Sequence, residues 1–214
     1  VIPPGRGDPR IGSEYRALAE HLGVPAERFP MDVALTEADR ARVQSQLAEW
    51  EVAGRYAVLC PFTTRPQKHW FDEHWRALMP LLRERAGLAA VILGGPGDAE
   101  HGDVLAAGEA ANLAGGLSLR ESAAAIAGAS LLIGVDTGLT HMGTAYGIPT
   151  VALFGSTRPY LETDSPRTRV LYEPLWCSPC RRRPICGGVF SCMRLHRPEA
   201  VADVATGLMA EPTA

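Results

Sequence analysis

The sequence contains almost no lysine. Lysine and arginine together account for 21 of its 214 residues, and Lys68 is the one lysine among them. A compact ammonium group is a point-charge ligand for phosphate, which a planar guanidinium does not simply replace. Most lysines are solvated surface residues, but retention of a single one in an arginine-rich chain makes Lys68 a candidate phosphate ligand.

The sequence also lacks an apolar run long enough to span a bilayer. The longest, residues 123–135, is too short and ends at Asp136. Residues 1–6 lack the charged-then-apolar pattern of a signal peptide, and no initiator methionine is present. We therefore expect a cytoplasmic protein and a chain that is a piece of something longer. The composition, 46% apolar and 21% charged with a net charge of −3, is typical of a soluble globular domain.

From Tyr56 onward, predicted strands alternate with predicted helices, which indicates a parallel α/β sheet flanked by helices. The predicted strands cover residues 56–61, 89–93, 111–113, 131–135, 150–154 and 169–172. Residues 1–54 are predicted to form connecting helices, one beginning at Ser13 and one capped by Thr36, with a short strand at residues 33–35. Their apolar stripes are expected to pack on the following domain, residues 55–214, or on a partner domain.

The central stretch, residues 129–155, reads as strand, tight turn, short helix and second strand. Asp136-Thr137-Gly138 follows a buried strand and precedes a helix that contains His141. Helix N-termini at this edge of a parallel sheet present free N–H groups to anions. The alternative is an ordinary turn in which Asp136 or Thr137 caps the helix with its side chain.

Two further loops follow predicted strands and reach the same edge of the sheet. One, residues 61–70, contains Thr64 and Lys68, and the other is Gly94-Gly-Pro-Gly-Asp98. An acid just beyond a strand is able to bind ribose hydroxyls, although Asp98 is equally suited to capping a helix. Three loops on one edge predict a phosphate-bearing ligand there.

These motifs resemble those of the bacterial heptosyltransferases of glycosyltransferase family nine. The resemblance rests on residues 63–70, the loop ending at Asp98, the Asp-Thr-Gly-x-x-His run 136–141, residues 153–157 and the Cys-Ser-Pro-Cys run at 177–180. It implies the C-terminal half of a GT-B glycosyltransferase, a Rossmann-like nucleotide-sugar domain preceded by connecting helices. The donor-binding residues that it implies are Thr64, Lys68, Asp98, Asp136, Thr137, Gly138 and His141.

The resemblance also implies a role for each residue. Lys68 and the N–H groups of Thr137 and Gly138 would hold the diphosphate, and Asp98, with Glu100 as alternative, the ribose. Asp136 would hold the transferred sugar, and His141 would support the phosphate site.

Lys68 and Asp136 are accordingly the implied catalytic residues of an inverting transfer of heptose from ADP-heptose to the lipopolysaccharide core, without a cofactor or metal. The base and acceptor pocket would belong to a missing N-terminal domain, so the isolated chain is expected to be inactive.

Five cysteines are present. Cys60 ends a buried strand and is most simply a core thiol. The other four have a spacing compatible with a four-thiolate zinc site or with a loop-stabilising or incidental role; they are Cys177, Cys180, Cys186 and Cys192.

Residues 158–197 carry eight arginines and three acidic residues, a local charge of +5 in an acidic chain. This segment is either a solvated loop or a surface attracted to an anionic partner, such as the lipid acceptor or the inner face of the inner membrane. Nucleic acid is not expected, because no aromatic stacking pattern accompanies the arginines.

Two other functions of the chain stay open: a related enzyme using another nucleotide sugar, and a non-catalytic nucleotide- or zinc-binding module.

Overall fold

The computed structural model describes residues 12–25, 31–157, 160, 162–163, 165–180 and 183–211. Within them the strands form one sheet and helices pack against it. The strands are β1 (Tyr56–Cys60), β2 (Ala89–Ile92), β3 (Ala110–Asn112), β4 (Leu131–Val135), β5 (Thr150–Phe154) and β6 (Thr168–Tyr172). The helices are α1 (Ser13–His21), α2 (Glu37–Glu49), α3 (Asp72–Ala86), α4 (Ala99–Ala106), α5 (Leu119–Ala127), α6 (Gly138–Ala145), α7 (Ser191–Arg194) and α8 (Pro198–Ala210).

The sheet has the order β3-β2-β1-β4-β5-β6, and all neighbouring strands run parallel. This confirms the predicted α/β class with a Rossmann-like parallel sheet. The order reverses direction between β1 and β4, so the loops that follow these two strands diverge to opposite faces and leave a crevice between them.

Both faces of the sheet are covered, which explains the continuous apolar runs in β1, β4 and β5. On one face α3 and α8 bury large side chains such as Trp75 and Leu78. On the other face α2 and α5 contribute Val43, Leu47 and Ile126. The sheet is therefore the middle layer of a three-layer domain.

The region before β1 agrees only in part with its prediction. Thr36 caps α2 as expected, because its side chain accepts a hydrogen bond from the Asp39 N–H. The predicted strand at residues 33–35 is wrong: the Val33 carbonyl accepts a hydrogen bond from the Tyr146 hydroxyl at 3.1 Å instead of pairing with a strand. The stripe of α2 packs on the sheet domain, whereas that of α1 does not, since Tyr15 and Leu22 are each 68% exposed.

No helix in the described ranges combines the length and the apolar character needed to cross a bilayer. The short helix α7 was not predicted. Its Cys192 and Met193 side chains are buried in the core that α3 and α8 form with the sheet.

Candidate functional site

The carboxyl ends of β1, β2 and β4 meet along one edge of the sheet, and the loops that follow them line one cleft of about 750 Å³. This volume is within the usual range for small-molecule sites. The predicted convergence of the three loops is therefore present. The predicted site residues that line the cleft are Thr64, Lys68, Asp98, Asp136, Thr137 and Gly138.

The loop after β1 carries Lys68 to the end of β4. A short 3-10 helix, Pro66–Lys68, turns the chain, and a ring nitrogen of His69 lies 2.8 Å from the Thr63 carbonyl oxygen. The Lys68 ammonium then lies 2.6 Å from Oδ2 of Asp136. Thr64 is exposed at the rim of the same cleft.

Asp136 is largely buried, with a side chain that is 15% exposed. Its Oδ2 also accepts a hydrogen bond from the Thr157 hydroxyl at 2.6 Å, and its Oδ1 lies 3.7 Å from Nε2 of His141. Burial alone would raise the pKa of Asp136, but the donors on His141, Lys68 and Thr157 together hold that pKa well below its usual range. Asp136 is therefore an ionised carboxylate fixed from several sides.

The turn between β4 and α6 leaves the helix N-terminus without a side-chain cap. Thr140 closes the turn, because its hydroxyl donates to the Val135 carbonyl at 2.6 Å. The alternative prediction, that Asp136 or Thr137 caps α6, is wrong: Thr137 is the N-cap residue but makes no side-chain cap hydrogen bond. The Asp136 carboxylate is instead engaged by Lys68. The first N–H groups of α6 therefore border the cleft without a carboxylate in front of them.

Gly138 is the first residue of α6 and lines the cleft. A Cβ atom built on it would meet nothing within 4 Å, so the glycine leaves open space beside the helix N-terminus. A helix N-terminus with this access is suited to an anion such as phosphate.

Asp98 lines the cleft at the end of the loop after β2. The alternative prediction, that its side chain caps the following helix, is wrong: Asp98 is the N-cap residue of α4 but makes no side-chain cap hydrogen bond. Its Oδ2 instead accepts a hydrogen bond from the Gly95 N–H at 2.8 Å, and Glu100 lies outside the cleft lining. Gly94 is required here because a Cβ would approach the Phe62 ring to 2.5 Å.

An apolar wall of the cleft was missed by the sequence reasoning. It consists of Leu117, Leu119, Leu139 and Met142, contributed by the starts of α5 and α6. The available signal was the pair of leucines that flank Ser118, the residue that caps α5. An apolar wall beside a turn suited to anions fits a flat aromatic group such as a nucleobase.

Two polar residues after β5 were also given no role. Thr157 bonds to Asp136, and the Tyr160 hydroxyl lies 2.7 Å from Nδ1 of His141. His141 itself does not line the cleft but stands behind Asp136. The signal for Thr157 was its place at the end of residues 153–157, one of the runs that carry the family resemblance.

The four clustered cysteines do not form a recognisable metal centre. Cys177, Cys180 and Cys186 are half-buried and Cys192 is buried. Across the described ranges, no group of three or more histidine, cysteine or acidic side chains is arranged to hold a metal ion. Burial raises the pKa of the Cys180 and Cys192 thiols, and Cys60 is a buried core thiol as predicted.

The arginine-rich segment is partly neutralised within the chain. Arg169 pairs with Glu211 at 2.6 Å, and Arg194 pairs with Glu73 at 3.4 Å. Four of the charged residues counted in this segment lie outside the described residues: Arg158, Asp164, Arg181 and Arg182.

The fold and cleft define a Rossmann-like domain with its ligand site at the carboxyl edge of a parallel sheet. The model of glycosyltransferase family 9 (heptosyltransferase) matches residues 3–186, and the chain belongs to this family. Lipopolysaccharide heptosyltransferase 1 of Escherichia coli strain K12 is 38% identical over 153 residues, covering 71% of this chain and 48% of that protein. The protein of the same name from Pseudomonas aeruginosa is 34% identical over 185 residues, covering 86% and 50%.

Solved structures agree with the fold. The family 9 glycosyltransferase of Veillonella parvula superposes with a TM-score of 0.80 at 24% identity, covering 94% of this chain and 60% of that one. E. coli heptosyltransferase WaaC with ADP-2-deoxy-2-fluoro heptose gives a TM-score of 0.60 at 29% identity, covering 94% and 56%. The chain spans about half the length of the curated relatives it matches.

Proposed function

We propose that the chain is the donor-binding part of an inverting heptosyltransferase that transfers heptose from ADP-heptose to the inner core of lipopolysaccharide. The observation that carries this proposal is the meeting of Lys68, the uncapped start of α6 and Asp98 around one cleft. Family membership supports the reaction class, and a relative of known structure is described with an ADP-heptose analogue.

In the proposed complex the donor lies along the cleft. The diphosphate is held by Lys68 and by the backbone N–H groups of Thr137 and Gly138, because an ammonium and a helix N-terminus both favour anions. Asp98 accepts hydrogen bonds from the ribose hydroxyls. Thr64 borders the phosphates from the rim. The adenine ring packs on the apolar wall defined above.

Lys68 and Asp136 are the proposed catalytic residues. When the bond to heptose breaks, negative charge develops on the departing diphosphate, and Lys68 with the start of α6 stabilises it. Asp136 orients the sugar and holds Lys68, while His141 supports Asp136 from behind. These groups stabilise the leaving group without a cofactor or metal.

The other participants are proposed from the family. The acceptor, a lipopolysaccharide core saccharide, and the base that deprotonates its hydroxyl would meet this site from another part of the enzyme. The proposed location is cytoplasmic, with peripheral contact to the inner face of the inner membrane through residues such as Arg183 and Arg197, which are exposed. Nucleic acid is not a proposed partner.

Calorimetric titration of this chain with ADP, UDP and GDP tests the donor site. We expect ADP to bind, with modest affinity because a facing domain would add contacts. Tighter UDP or GDP binding would instead favour the second candidate, a transferase for another nucleotide sugar. A folded chain that binds none of the three contradicts the proposal.

Turnover is then tested with ADP-heptose and a core acceptor, using the chain alone and together with the remainder of the enzyme. We expect transfer only in the second case. Robust transfer by this chain alone would show that the base and acceptor pocket lie within it.

A further inference from the structure

Tyr160 is packed against the residue that stands behind Asp136. Its ring contacts Phe154 edge-on, with centroids 5.2 Å apart, and lies tilted against the His141 ring at the same separation. Its hydroxyl oxygen is 2.7 Å from Nδ1 of His141. Tyr160 does not line the cleft, so its effect on a ligand would pass through His141.

The surroundings of His141 determine which of its nitrogens carries the proton. Nε2 faces Oδ1 of Asp136 at 3.7 Å, and an ionised carboxylate only accepts hydrogen bonds. A bare nitrogen lone pair at that position would be repelled, so Nε2 carries the proton in the neutral ring. Nδ1 is then an acceptor, and the phenol of Tyr160 is the group that donates to it.

The phenol is able to keep this role across the neutral range. Burial, with a smaller contribution from the charge of Asp136, raises the pKa of Tyr160 far above its usual value. The phenol therefore remains a donor wherever the chain is folded near neutral pH. The alternative hydrogen-bond direction, from a protonated Nδ1 to the phenol oxygen, would leave the Nε2 lone pair facing the carboxylate.

We propose that Tyr160 is a positioning residue for the donor site: its hydroxyl fixes His141 in the Nε2–H tautomer and thereby orients Asp136. Thr157 and Lys68 bind Oδ2 of Asp136 while His141 faces Oδ1, so the carboxylate is held on both oxygens. Asp136 in turn holds Lys68 at the cleft. The effect on nucleotide binding rests on the proposed donor-site function, whereas the tautomer assigned to His141 does not depend on that function.

Nitrogen-15 NMR of the histidine-labelled chain tests the tautomer directly. We expect the neutral His141 ring to show a protonated Nε2 and a bare Nδ1. Its signals are assigned by their loss in His141→Asn. A protonated Nδ1 in the unmodified chain overturns the proposal, and this measurement does not require a folded Tyr160→Phe variant.

Tyr160→Phe removes the hydroxyl and keeps the ring packing. We expect His141 in this variant to become a mixture of tautomers, and ADP affinity to fall about two- to tenfold, the factor that one net hydrogen bond is worth. The matched control is Tyr146→Phe, at the other end of α6, whose hydroxyl donates to the Val33 carbonyl. We expect this control to leave both the His141 spectrum and ADP affinity unchanged.

The outcomes separate the two proposals. If the unmodified chain does not bind ADP, the donor-site function fails while the spectra still decide the tautomer. If ADP binds and a folded Tyr160→Phe variant retains both the single tautomer and full affinity, the positioning role is refuted. A changed tautomer with unchanged affinity also refutes the role in positioning the donor site.

Discussion

The ammonium of Lys68 lies 2.6 Å from Oδ2 of Asp136, although 68 residues separate them in the chain. Lys68 belongs to the loop after β1 and Asp136 directly follows β4, and these strands are hydrogen-bonded neighbours. The ion pair places the Lys68 ammonium on the wall of the cleft. It also offsets the free-energy cost of burying the Asp136 carboxylate.

Lys68→Met tests the role of the ammonium in nucleotide binding. The variant keeps much of the side-chain length but loses the charge. We expect ADP binding to weaken by about 1.5–3 kcal/mol, the range for a hydrogen bond to a charged group. Calorimetry measures the difference, with adenosine as the control ligand because it lacks the diphosphate. Equal loss of adenosine and ADP affinity would show a general disturbance of the cleft.

The ion pair between Lys68 and Asp136 should produce an energetic coupling that is measurable in the unfolding free energy. Lys68→Met leaves Asp136 with one fewer partner and should destabilise the fold. In Asp136→Asn the carboxylate is gone, so adding Lys68→Met should cost less. We expect a coupling of about 0.5–3 kcal/mol in a double-mutant cycle measured by urea unfolding. Strictly additive effects would show that the contact contributes nothing to stability.

Asp136 should also shape the acid stability of the chain. Because its pKa is lower in the folded state than in the unfolded state, the folded state binds fewer protons. Its contribution is therefore complete above the ordinary aspartate pKa of about 3.9 and is lost as the pH falls toward the folded value. We expect the unfolding free energy of Asp136→Asn to fall less steeply than that of the unmodified chain between about pH 5 and pH 2. If the unfolding free energies of the two proteins fell equally steeply with pH, the lowered pKa of Asp136 in the folded state would be contradicted.

Gly138→Ala separates stability from binding. The new methyl group meets nothing within 4 Å, and replacing glycine by alanine at a compatible backbone position stabilises a fold by about 0.4–1 kcal/mol, because the unfolded chain loses freedom. We expect equal or higher thermal stability but weaker ADP binding, because the methyl group occupies the approach to the start of α6. Gly207→Ala, in an exposed turn of α8 with equally open surroundings, is the matched control and should leave ADP affinity unchanged. Unaltered affinity in both variants would remove the diphosphate from this position.

The cysteine segment makes a separate prediction. Since the described thiols are not arranged around a metal position, we expect purified protein to carry no stoichiometric zinc and to melt at the same temperature with and without a chelator. About one equivalent of zinc, with destabilisation on chelation, would restore the four-thiolate hypothesis. Thiol titration of Cys177, Cys180 and Cys186 in the folded chain complements the metal analysis.

The strands and helix starts were predictable because their signals are local. Continuous apolar runs marked β1, β4 and β5, and the capping residue Thr36 marked the start of α2. Where a local signal found no neighbouring strand to pair with, as at residues 33–35, the prediction failed.

The sequence by itself determined the alternation of strands and helices and the turn at Asp136, since each depends on neighbouring residues. It also singled out Lys68, because the chain has no other lysine. Only the tertiary structure decided that Asp136 bonds to Lys68 and Thr157 instead of capping α6, and that Tyr160 bonds to His141. These contacts require β1 and β5 to flank β4. The order of strands across a sheet is set by how the whole core packs, because hydrophobic periodicity states which residues are buried but not which strands become neighbours.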